Sequence, residues 1–71
     1  MLIKSGATVN LAKEDGATPL HMASQNGKLE VVKALIKAKA NINQANENGA
    51  TPLLIASQEG NLEVVQALLE E

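Results

Sequence analysis

A chain of 71 residues makes one small domain that buries only about 60% of its unfolded surface, and a composition 45% hydrophobic with no aromatic residue limits the core to thin layers of Ala, Val, Leu and Ile. The absence of Cys excludes a disulfide framework and a thiolate metal site, the single His excludes a multi-histidine site, and a net charge of -2 with Lys and Glu interspersed offers no basic stripe to nucleic acid or an anionic membrane. No apolar run approaches the roughly 20 residues of a membrane span, and the opening MLIKSGATVNLAKE lacks the apolar centre of a secretory signal, so the chain reads as soluble and cytoplasmic.

A shift of 33 residues superimposes the sequence on itself with 22 of 38 compared positions identical, the signature of stacked supersecondary units. Met1 to Lys4 aligns with Ala34 to Lys37, so the chain opens at the end of a helix, with Gly6 suited to terminate it. Ala7 to Ala17 reads as a turn-rich, hairpin-like connector closed by the Asp15-Gly16 turn signal. Thr18-Pro19 starts a short helix of about Pro19 to Asn26: the Thr hydroxyl can cap an orphan amide, and Pro belongs at a first position whose N–H is unused. Leu20 and Ala23 face inward, Gln25 and Asn26 outward, and Gly27 ends the helix.

A second helix from about Leu29 to Ala38 carries the apolar stripe Leu29, Val32, Leu35 and Ile36, opposite a solvated face with Lys28, Glu30, Lys33 and Lys37. Lys39 stands where the first copy has Gly6; a left-handed backbone there costs a residue with a side chain about 1 kcal/mol. The connector then recurs over Ala40 to Ala50, with Asn46, Asn48 and Gly49 supplying turn chemistry, followed by helices at about Pro52 to Glu59 and Leu62 to Glu71. Glu70 and Glu71 put negative charge at a helix C-terminus, where the helix dipole disfavours it.

The pattern G-x-TPLH-x-A-x-x-G-x-L-EVV-x-x-LI followed by A-x-x-N resembles the ankyrin repeat, carried by Gly16, Thr18, Pro19, Leu20, His21, Ala23, Gly27, Leu29, Glu30, Val31, Val32, Leu35, Ile36, Ala40 and Asn43. The resemblance covers the whole chain. It implies an all-α solenoid of antiparallel helix pairs joined by hairpin-like loops, in a single domain 1–71: a partial repeat tail and loop over 1–15, a full repeat over 16–48 and the helical pair of a last repeat over 49–71. It further implies structural roles for Thr18 and His21, which bond each other and tie the first helix to neighbouring backbone, and for Thr51. Leu54 replaces the histidine in the second copy, so apolar packing is expected to substitute there. Other departures from the pattern are Lys39, Asn41, Ser24 and Ser57.

For chemistry the residues offer little. His21 fits the structural histidine better than a catalytic or metal role, Ser24 and Ser57 lack a partnered base, and Glu14, Asp15, Glu47 and Glu59 fall on turns or polar faces where nothing separates two carboxylate pKa values. No catalytic residue, metal site or cofactor is expected. The resemblance implies instead a protein partner gripped by connector tips and first helices: Glu14, Asp15, Ala17, Gln25 and Asn26 from one unit, and Glu47, Asn48, Ala50, Gln58 and Glu59 from the next. A self-stacking fragment or designed scaffold without natural ligand is the alternative. It would associate into homo-oligomers head to tail through Leu2, Ile3 and Val9 at one end and Val65, Leu68 and Leu69 at the other. Asn10 and Asn43 resemble hydroxylated ankyrin asparagines but lack the usual acidic neighbour, which leaves bonding within their own loops as the simpler role.

Overall fold

The computed structural model describes residues 9–70, and within them the chain forms four helices and no strand. Helix α1, Pro19–Gln25, begins where Thr18 accepts the His21 N–H on its hydroxyl; α3, Pro52–Glu59, begins in the same way with Thr51 accepting from Leu54. Helices α2, Leu29–Lys37, and α4, Leu62–Leu69, start at Lys28 and Asn61 with no side-chain cap. Their first turns hold Glu30 and Glu63, favourable charges at the positive end of a helix dipole. The expected bounds thus shorten slightly: α1 stops before Asn26, α2 before Ala38 and α4 at Leu69.

Three helices end by turning left-handed. After α1 the Lys28 N–H reaches the Ala23 carbonyl across Gly27 (φ 67°), and after α3 the Asn61 N–H reaches Ala56 across Gly60. After α2 the same reversal falls on Lys39 at φ 72°, with Lys39 and Ala40 donating to Ile36 and Leu35. The strain expected at Lys39 is therefore present, offset by two bonded carbonyls that a helix end otherwise leaves to water.

Each connector folds back on itself as a hairpin-like tip, Lys13 N–H to Ala17 O at 2.8 Å and Asn46 N–H to Ala50 O at 2.9 Å. Val9 departs from the connector reading, since its backbone is helical. The helices pair as α1 with α2 and α3 with α4. The pairs then stack, α1 on α3 and α2 on α4. Between them lies one core of Val9, Leu20, Ala23, Val32, Leu35, Ala56, Val64, Ala67 and Leu68. Small residues at Ala23, Ala56 and Ala67 let the helices approach closely, which is how a core without aromatic rings fills its volume. The stripe expected on α2 divides: Val32 and Leu35 are buried, Leu29 and Ile36 half-buried.

Candidate functional site

The polar centre of the molecule is built from Thr18 and His21, both buried. The Thr18 N–H donates to His21 Nδ1 at 3.0 Å, and the Thr18 hydroxyl lies 2.8 Å from the same nitrogen. Because Nδ1 accepts, the proton sits on Nε2, which donates across 2.8 Å to the Ala50 carbonyl in the second unit. The ring therefore completes a capping box at α1 and clamps the following loop. All of its polar atoms are engaged and it is 1% exposed, so it has no atom free to meet a substrate or a metal.

Four further bonds sew the units together, and the residues by themselves point to none of them. Asn61 turns its side-chain amide to the carbonyls of Ser24 (2.8 Å) and Gln25 (3.2 Å), the end of α1. The Glu47 N–H donates to the Asp15 carbonyl at 2.9 Å, joining the two tips. Asn10 reaches beyond its own loop: its Oδ1 accepts the Asn41 N–H of the next loop at 2.8 Å, whereas the Asn43 N–H bonds locally to Asn41 Oδ1. The only sequence signal for Asn61 is that it replaces Lys28 one period later, and for Asn10 and Asn41 that asparagines recur in both loops. Of these contacts Gly16 is the steric counterpart, since a Cβ there would meet Asn46 Cα and Glu47 N at 3.1 Å.

The positions expected to face a partner differ in exposure. Glu14, Asp15, Gln25 and Asn26 of the first unit and Glu47, Asn48, Gln58 and Glu59 of the second are exposed. Ala17 is not: it is 7% exposed, packed beneath the tip whose hairpin bond it accepts, so it offers no contact surface. Ala50 is half-buried and its carbonyl already holds His21. Met22 is 38% exposed on α1, close in the chain to the outward Gln25 and Asn26, and its repeat equivalent Ile55 is half-buried on the neighbouring α3. The methionine adds a flexible apolar side chain to the exposed surface of α1.

The stacking positions also need correction. Leu2 and Ile3 lie outside the described residues. Val9 and Leu68 are 1% and 4% exposed, both members of the core rather than of an open end. Leu68, like its equivalent Leu35, is buried in the core. Val65 is half-buried and Leu69 is 65% exposed. Leu54 does not substitute for the histidine by packing: it is 45% exposed, and Ser57 is exposed too. Nothing lies beyond α3 to cover them among the described residues.

Lys33, Ile36, Lys37 and Lys39 line a depression with Ala67 and Glu70 that includes no residue of the loop tips. Among the described residues no group of three or more His, Asp or Glu could hold a metal ion, and no helix is long and apolar enough to cross a membrane.

The family model for ankyrin repeats, described as three copies, matches residues 1–71. No curated protein matches the chain. Four helices in stacked pairs, a 33-residue period and this match over the full length agree: the chain belongs to the ankyrin-repeat family, whose repeats serve generally as non-enzymatic protein–protein interaction modules.

Proposed function

We propose that this protein binds a protein partner on the face made by the two loop tips and the outward sides of α1 and α3. The observation that carries the reading is the bond from the Glu47 N–H to the Asp15 carbonyl, which holds the exposed tips in fixed register. A surface ordered before binding loses little conformational freedom on contact. Glu14, Asp15, Glu47 and Glu59 give this face an acidic character, and Met22 supplies an apolar contact, so the partner surface is cationic with an apolar side chain among its charges. No catalytic step is assigned to it. The test is a pull-down of the wild type against a Gln25→Arg, Gln58→Arg double variant and a Met22→Glu variant. Loss of the same partner from both supports the face; unchanged partners from both would mean that binding occurs elsewhere.

The alternative, head-to-tail self-association, draws support from a different observation: Leu54 and Leu69 are 45% and 65% exposed, while their equivalents His21 and Ile36 are buried and half-buried under the second unit. A further unit stacked on α3 and α4 would cover them. Size-exclusion chromatography with light scattering across a concentration series decides this. Mass that rises with concentration and falls back on Leu54→Lys supports stacking; a folded monomer at every concentration defeats it.

A further inference from the structure

Two asparagines are followed by glycine, Asn26-Gly27 and Asn48-Gly49; every other asparagine precedes a residue with a side chain. An asparagine before glycine is chemically exposed to ring closure because no Cβ on the following residue obstructs it. The two sites are equal in sequence and unequal in structure. The Gly49 N–H donates to the Asn46 carbonyl at 2.9 Å, and the Asn48 N–H is held by Asn46 Oδ1 at 2.9 Å. Ring closure at Asn48 therefore has to break a braced turn. The Gly27 N–H has no acceptor among the described residues. In the second unit the corresponding Gly60 N–H bonds the Ser57 carbonyl at 3.2 Å, but in the first unit the equivalent Ser24 carbonyl is held by Asn61. Asn26 itself is exposed, and its side chain makes no hydrogen bond among the described residues.

We propose that Asn26-Gly27 is a site of spontaneous covalent modification by succinimide formation, located on the seam between the two units. The Gly27 amide nitrogen, on losing its proton to base, attacks Asn26 Cγ. The N–Cγ bond forms, the Cγ–Nδ2 bond breaks, and the side-chain nitrogen takes up a proton and leaves as ammonia. Water then opens the ring at either carbonyl, giving aspartate or isoaspartate. Asn26 has ψ 1°, which holds the Gly27 nitrogen away from Cγ, so closure requires rotation about the Cα–C bond and loss of the single Lys28 to Ala23 bond that spans the turn. The isoaspartate product lengthens the main chain at the point where Gly27 lies against Asn61; a Cβ built there would already stand 3.1 Å from Asn61 Oδ1. Modification thus displaces the Asn61 amide from the Ser24 and Gln25 carbonyls and adds a negative charge to the exposed face. This inference does not depend on which partner that face binds.

The experiment incubates the full chain at mildly alkaline pH, folded and in concentrated urea, and follows each site by peptide mapping with mass and isoaspartate detection. Similar rates at the two sites in urea, with Asn26 converting several-fold faster than Asn48 in the folded chain, are expected. Asn48 converting as fast as Asn26 in the folded chain would overturn the assignment. For the consequence, urea midpoints are measured for the unmodified and isoaspartate forms, each with and without Asn61→Ala. The substitution should lower the midpoint of the unmodified form and leave the isoaspartate form unchanged. An equal loss in both forms would show that the tie survives modification, against the proposal.

Discussion

The first and second helical pairs carry nearly the same words, and they use them differently. In α2 the second of two adjacent valines, Val32, is 0% exposed and Val31 is half-buried; in α4 the first, Val64, is 1% exposed and Val65 is half-buried. Likewise Ala34 is exposed, whereas Ala67 is buried against the preceding pair. Ser24 is buried and Ser57 exposed, Gly16 is crowded by the next loop and Gly49 meets nothing. Each unit has two stacking faces, and the pattern of burial records which face has a described neighbour. Identical residues therefore contribute unequally to stability, since the hydrophobic term follows the area removed from water and not the residue type.

The comparison is broken most directly at the paired leucines. Leu20 is 1% exposed and its equivalent Leu53 is half-buried, so Leu20→Ala is expected to lose about 2–5 kcal/mol and Leu53→Ala less than half as much, read from urea unfolding followed by circular dichroism. Equal losses would mean that the two pairs are buried alike. His21→Leu removes two buried bonds and the clamp on Ala50, an expected loss of about 1–3 kcal/mol. The reciprocal Leu54→His falls on a half-open surface and should change stability by no more than about 0.5 kcal/mol. A neutral His21→Leu would remove the clamp from the account of the fold. The smallest effect is at the helix ends: Lys39→Gly relieves a left-handed backbone and should gain a few tenths to about 1 kcal/mol, while Gly60→Lys should lose a similar amount. No gain at Lys39 would show that the strain is cancelled by the freedom glycine adds to the unfolded chain.

Much of the fold was legible because it rests on local rules. Thr18-Pro19 and Thr51-Pro52 start helices wherever they occur, and Gly27 and Gly60 end them. Even the left-handed turn at Lys39 follows from its place in the period. The exposure of the eight polar positions was legible for the same reason, while the two alanines among the ten, Ala17 and Ala50, are buried and half-buried. Ala17 was misread because a small residue looks the same on a tip and beneath it. Leu68 was misread because an apolar stripe wide enough for two contacts does not say which edge meets the partner helix and which the next unit. Asn61 and Asn10 were missed because their bonds span 37 and 31 residues, and nothing local distinguishes an amide that caps its own helix from one that reaches across.

By itself, then, the sequence determined the family, the period, the positions of four helix starts and the left-handed residues that end three of them, all consequences of short-range sterics and hydrogen bonding repeated every 33 residues. Only the tertiary structure decided which member of each repeated pair is buried, which asparagines join the units, and why the glycine N–H is bonded in one Asn-Gly pair and not in the other among the described residues. Those depend on what lies across the stack, and a repeat sequence writes the same word on both of its faces.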